Sequence, residues 1–305
     1  MERVRIFEVG ARDGLQNEPT LVSTSTKLWF MEALYDSGLK EIEVGAFVRP
    51  DRIPQMADSE KIIESIKRKK IHLPLKNSWV LVPNERGLDR ALDSGVKSIA
   101  VFTAASDGFA KANIGMTVKE SISVQKKVIQ RALAEKMRVR GYVSTVFGCP
   151  FDGKIKASQA MRVTEALLSA GVEEVSLGDT IGVATPREVE AVLKKAEQKG
   201  YLDQLAVHFH DTRGTALANA LFSYQMGVRV FDSSAGGLGG CPFAPGATGN
   251  LATEDLIYLF EGMGIKTGVH LERLCETSLK MAKKMKRSIS SKYLQAYWSQ
   301  QKKRK

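Results

Sequence analysis

Eight short runs rich in β-branched residues punctuate the chain, and a helix-length stretch follows each of them. The runs lie at 4–9, 41–44, 79–82, 98–102, 138–146, 173–177, 205–210 and 228–233. Between them, apolar residues recur at helical spacing over 26–37, 58–68, 85–94, 118–136, 158–170, 186–198 and 215–226. Glycines at 38, 95, 171 and 227 stand where four of these helices stop, the position that favours left-handed backbone. Strict alternation of strand and helix is the mark of a parallel sheet. Eight repeats over about 250 residues match the count and size of a closed barrel. A doubly wound open sheet usually has fewer strands, and no Gly-x-Gly-x-x-Gly follows the first run here. The expected fold is therefore α/β: a (β/α)8 TIM barrel over residues 1–265, with a C-terminal helical extension and basic tail over 266–305. In such a barrel, chemistry gathers at the carboxyl ends of the strands.

The bulk properties narrow the setting. A chain of 305 residues, 43% of them hydrophobic, can bury one large core. No stretch approaches the roughly 18 consecutive apolar residues of a membrane span. Met1-Glu2-Arg3 runs straight into the first strand, which leaves no room for a signal or transit segment. Cys149, Cys241 and Cys275 are far apart and form no Cys-x-x-Cys, which points to free thiols and a cytoplasmic location. The net charge of +11 is unevenly spread. Ten of the 45 basic residues lie between Lys280 and Lys305, where there is no Asp or Glu, and the rest of the chain carries 35 basic against 34 acidic residues. The basicity thus belongs to the C-terminal segment. That segment reads as a solvated end or a patch for an anionic substrate. It holds Tyr293, Tyr297 and Trp298 but no nucleic-acid-binding motif, so nucleic acid is not the expected partner.

Polar residues cluster at the strand ends. In Ala206-Val207-His208-Phe209-His210, alternation puts His208 and His210 on one face and Val207 and Phe209 on the other. Two imidazoles side by side suit a divalent metal; the plainer alternative is two polar residues at a strand end. The first strand ends in Gly10-Ala11-Arg12-Asp13-Gly14, either a surface ion pair in a turn or a fixed cation beside an oxygen ligand. Glu43 ends the second strand on its inward face, where Arg12 is the obvious partner. Ser144 and Asp179 put polar groups at the mouth, where they could orient a substrate. Six glycines surround Cys241 in the segment 236–249, a composition that lets a loop fold over a ligand and carry the thiol to it. Asn250 either caps the following helix or gives an amide oxygen to a metal. Together Asp13, His208, His210 and Asn250 make a mixed N/O set that suits Mg²⁺ or Mn²⁺ better than structural zinc.

These motifs resemble those of the hydroxymethylglutaryl-CoA lyase family, metal-dependent TIM-barrel lyases. The matching segments are Glu8-Val9-Gly10-Ala11-Arg12-Asp13-Gly14-Leu15-Gln16-Asn17-Glu18, Glu43-Val44-Gly45-Ala46-Phe47-Val48 and Pro54-Gln55-Met56-Ala57-Asp58. Further on come Gly141-Tyr142-Val143-Ser144, Gly148-Cys149-Pro150, Leu177-Gly178-Asp179-Thr180-Ile181-Gly182 and His208-Phe209-His210-Asp211-Thr212. The last are Gly237-Leu238-Gly239-Gly240-Cys241-Pro242 and Gly249-Asn250-Leu251-Ala252-Thr253-Glu254-Asp255. Arg49 stands where the family often has Ser, and Ala11 where it has Pro. The resemblance implies cleavage of 3-hydroxy-3-methylglutaryl-CoA to acetyl-CoA and acetoacetate, by a homodimer acting on an acyl-CoA. It implies metal ligation by Asp13, His208, His210 and Asn250, carbonyl polarisation by Arg12 and proton transfer by Cys241. Glu43 and Asp179 would support the site, Gln16, Ser144 and Asn250 would join Arg12 in holding substrate, and either His208 or Asp13 would be the base. Related readings are a lyase for a longer branched 3-hydroxyacyl-CoA and a condensing synthase. The reading from another class is an RNA-binding protein that uses the basic tail.

Overall fold

The computed structural model of the chain describes residues 2–240 and 249–303. Its barrel strands are β1 (Arg5–Glu8), β2 (Glu41–Ala46), β3 (Ser78–Leu81), β4 (Ser98–Ala104), β5 (Arg138–Ser144), β6 (Glu174–Asp179), β7 (Leu205–Phe209) and β8 (Val230–Ser233), with a separate two-stranded hairpin of Gly148–Cys149 and Gly153–Lys154. The barrel strands pair in parallel in chain order, and β8 closes on β1 with Arg5 opposite Val230 and Glu8 opposite Ser233. The fold is the expected TIM barrel. Around it run α1 (Thr24–Asp36), α2 (Ser59–Lys67), α3 (Glu85–Ser94), α4 (Asp107–Ile114), α5 (Val118–Ala134), α6 (Ala157–Leu168), α7 (Pro186–Glu197), α8 (Ala216–Gln225) and α9 (Thr253–Gly262). Two C-terminal helices follow, α10 (Leu271–Met285) and α11 (Lys292–Lys303), and α10 packs against α1 and α9. Among the described residues, no helix is long and apolar enough to cross a membrane.

Local chemistry sets the boundaries. Thr117 and Glu120 form a reciprocal capping box that starts α5, and Asn84 accepts the Gly87 N–H at 3.0 Å to start α3. The fifth strand stops two residues earlier than its β-branched run, because Thr145 takes a left-handed φ of 57° and turns its N–H to Thr180 Oγ1 at 2.8 Å. The spacing does not reveal α4, whose eight residues are too few to show a helical period.

The barrel interior is charged as well as apolar. Phe7 and Trp79 meet edge to face, and the Arg140 guanidinium lies 3.7 Å from the centre of the Phe7 ring. Arg140 is fully buried and pairs with Asp232 at 2.5 Å and Glu174 at 2.7 Å. An unpaired charge in that position would cost several kcal/mol, of order 3–5. Two carboxylates and two aromatic faces, Phe7 and Tyr142, hold this one instead.

Candidate metal and active site

Arg12 and Asp13 project from a single wide π-helical turn, Gly10–Gly14, in which the N–H groups of Arg12 and Gly14 both reach Val9 O at 3.1 Å. A Cβ at position 10 would lie 2.5 Å from Glu8 Oε1, the atom that accepts its N–H, so a larger residue there must displace that buried carboxylate. The turn aims neighbouring side chains in a fixed relation. Arg12 Nη1 donates to Asp13 Oδ1 at 2.7 Å, and its Nε and Nη2 both lie 2.6 Å from Glu43 Oε2. Gln16 Oε1 stands 3.5 Å from the same Nη1. Burial works against both partners' charged forms. The Glu43 carboxyl is pushed above its usual value by that burial, whereas the charges of Arg12 and the histidines overcome it at Asp13 and hold that carboxyl at about 2.

His208 comes from β7, and His210 lies just beyond it, bridged to Asn250. One donor atom each from Asp13, His208 and His210 lie within 4.8 Å of one another. Asn250 Nδ2 donates to Asp13 Oδ2 at 2.9 Å and to Leu238 O at 3.0 Å. Its Oδ1 is buried with no hydrogen-bond partner, and so is Nδ1 of His210. Other buried side-chain atoms of the described residues also lack partners, so it is the placement of these two, beside a carboxylate and a second imidazole, that suits a cation. The set fits a divalent ion. Asn250 is not the helix cap, because α9 begins three residues later with Ala252 before it. Burial and the neighbouring His208 hold His210 down at about 4, so it is neutral and free to ligate near pH 7. His208 is the reverse case: burial opposes its charge, but Nδ1 faces Asp232 Oδ2 at 3.3 Å and that carboxylate raises the ring above its usual range.

Asp232, Arg140 and Tyr142 form the support that strand reading misses. Asp232 stands opposite His208 in the β7–β8 register and also accepts from Ser176 Oγ at 2.7 Å. Arg140 Nη1 donates to Tyr142 Oη at 3.0 Å, and Tyr142 Oη reaches Glu43 Oε2 at 3.3 Å. A continuous polar chain therefore links His208 to Arg12 beneath the mouth. Arg140 and Tyr142 share an alternating face with Ser144, a pattern that marks the inward side only once the barrel has closed.

Above this support lies a cavity of about 390 Å³, lined by Arg12, Asp13, Gln16, Ser144, His208 and His210 among others. Asp179 stands apart: it accepts from the N–H groups of Val183 and Ala184 at 3.0 and 3.1 Å, holding the turn after β6. Burial lifts its carboxyl to about 6. Cys241 lies outside the described residues, although Gly240 before it lines the cavity.

The HMGL-like family model matches residues 3–280. The chain belongs to the HMGL-like family. Its relatives in that family include the mitochondrial hydroxymethylglutaryl-CoA lyase of Pongo abelii, 47% identical over 295 residues, covering 97% of this chain and 90% of the relative. The hydroxymethylglutaryl-CoA lyase of Bacillus subtilis is 45% identical over 298 residues and is covered to 98%, as is this chain. Among solved structures, the HMG-CoA lyase of B. subtilis superposes with a TM-score of 0.92 at 44% identity, covering 97% of this chain and 98% of that one. An HMG-CoA lyase from A. baumannii, in complex with coenzyme A and 3-methylmalate, gives 0.89 at 36% identity, with 96% and 95% covered.

Proposed function

We propose that the chain is a carbon–carbon lyase that cleaves 3-hydroxy-3-methylglutaryl-CoA to acetyl-CoA and acetoacetate. The observation that carries this reading is the Arg12–Asp13 pair, a guanidinium anchored on Glu43 and held 2.7 Å from a carboxylate in the cluster with His208 and His210. Cleavage of the C2–C3 bond requires loss of the C3 hydroxyl proton and leaves a thioester enolate. Arg12 is the preorganised cation for that oxygen, already oriented before substrate arrives. Both oxygens of Asp13 are engaged, by Arg12 and Asn250, whereas His208 has a carboxylate behind Nδ1 and its other ring nitrogen available. That remaining nitrogen is also the one His208 would give to a cation, so the hydroxyl proton is assigned to His208 or Asp13, each of which is tied to the cation cluster. Cys241, following Gly240 at the cavity, is the acid assigned to the enolate carbon.

Asp13, His208, His210 and Asn250 would hold Mg²⁺ or Mn²⁺, which when bound supplies Lewis-acid polarisation of substrate oxygens. Ser144 and Gln16 line the cavity and would face the acyl group of a bound substrate. Incubating the purified chain with Mn²⁺ and a panel of 3-hydroxyacyl-CoAs tests the reading. Acetoacetate and acetyl-CoA in equal amounts from the 3-hydroxy-3-methylglutaryl thioester are expected. Cleavage of a longer branched thioester in its place, or of none, would overturn it.

A further inference from the structure

The segment that leaves β8 for the glycine-rich stretch is hydrogen-bonded along both of its edges. On the N–H side, Glu8 accepts from Ala235 at 2.9 Å, and Glu254 accepts from Gly236 at 2.9 and 3.0 Å. On the carbonyl side the contacts come from far along the chain. Ser290 Oγ lies 3.0 Å from Gly236 O and 3.2 Å from Gly237 O. Arg287 Nη2 donates to Gly239 O at 2.9 Å while its Nη1 forms an ion pair with Glu18. Asn17 Nδ2 donates to Gly240 O at 3.0 Å.

The connector that supplies Arg287 and Ser290 is itself pinned at both ends. Lys286 closes α10 in a left-handed conformation, φ 52°. At the other end, Asp255 accepts from Ser291 Oγ at 2.7 Å, Lys292 N at 3.1 Å and Tyr293 N at 2.7 Å, which fixes the start of α11. The segment it holds adjoins the site, because Leu238 O accepts from Asn250 and Gly240 lines the cavity. Arg287 is therefore not free to meet a substrate phosphate, the role that the charge of the tail suggests.

We propose that residues 286–291 form a strap that sets where the glycine-rich segment leaves the barrel, with Arg287 as a positioning residue for Gly239 and Gly240 at the edge of the cavity. The proposal rests on the lyase reading for its kinetic consequence but not for its structural one. Misplacing a reacting group by an ångström costs about 100-fold in rate without weakening substrate binding in proportion.

Three full-length variants, Arg287→Ala, Arg287→Lys and Ser290→Ala, supply the test. Two readouts apply: kcat and KM for 3-hydroxy-3-methylglutaryl-CoA, and the substrate-free rate of Cys241 alkylation by iodoacetamide, followed on its peptide by mass spectrometry. Arg287→Ala is expected to lower kcat about 10- to 100-fold with KM within about two-fold, and to change the alkylation rate by about five-fold or more. Arg287→Lys restores part of both. A rise in KM alone means that Arg287 binds substrate, and an unchanged alkylation rate means that the strap does not position the segment; either overturns the proposal. If Arg287→Ala does not fold, Ser290→Ala decides on the alkylation rate, altered in support and unaltered against. A wild-type chain without lyase activity would sink the functional reading, while alkylation would still judge the strap.

Discussion

Arg12 is almost wholly enclosed, yet it keeps its charge between two carboxylates. Burial disfavours the guanidinium, and Glu43 and Asp13 more than restore it, so its pKa stands above the ordinary arginine value. Glu43 shares one oxygen between two guanidinium nitrogens and Tyr142, which fixes the plane of the group. Arg12→Gln keeps a polar side chain but removes the cation where the enolate forms. We expect kcat to fall by about 10²- to 10³-fold or more, with Mn²⁺ affinity by titration calorimetry nearly unchanged; lost metal binding would place Arg12 in the cation site instead. His208, His210, Arg12, Asp13 and Asn250 were legible in the sequence because each stands at a strand end or beside glycine, where a polar side chain needs a reason. Arg140 and Asp232 were not. A charge within a strand reads as solvent-facing until closure of the barrel turns that face inward, and its partner lies 92 residues away.

At the scale of single elements, the stem between β8 and the glycine-rich stretch brings two buried carboxyls together. Glu8 accepts from Gly10, Ala235 and Thr253, and so ties the turn that carries Arg12 to the stem. Burial raises Glu8 to about 7 and Glu254 to about 8, both from an ordinary 4.5. Between 4.5 and these values the folded chain binds more protons than the unfolded one, so their contribution to stability is fully present below 4.5 and is lost as pH rises through 7 to 8. Thermal unfolding followed from pH 5 to 9 is expected to show Tm falling from pH 5 to about 8 and levelling above that. Glu8→Gln, neutral throughout, should flatten the fall; a variant with the same slope as wild type would remove Glu8 from the account. Strand and helix positions were readable from period and glycine stops. The stem was not, because its hydrogen bonds come from residues in four different parts of the chain, and no local pattern records them.

For the molecule as a whole, the barrel count followed from strict alternation, and parallel closure left one mouth where the strand ends converge. Alternation could not supply the way the C-terminal helices bear on that mouth. Cation binding offers a global readout of the site. An ion that binds only the folded chain adds about 2.7 kcal/mol at 100 times its Kd. Mn²⁺ is therefore expected to raise Tm by several degrees in wild type and by much less in His210→Ala. An equal shift in both would exclude His210 from the cation site.

The hydrogen bond from Asn250 to Asp13 joins residues 237 positions apart, between the first turn of the barrel and the segment after its last strand. During synthesis, Asp13 emerges from the ribosome long before Asn250 exists. A nascent chain thus has no complete cation site until the eighth strand and the glycine-rich segment beyond it have been made. Fragments released early lack Asn250 as well as the closing strand, so they have neither the hydrogen bond that holds Asp13 nor a closed barrel.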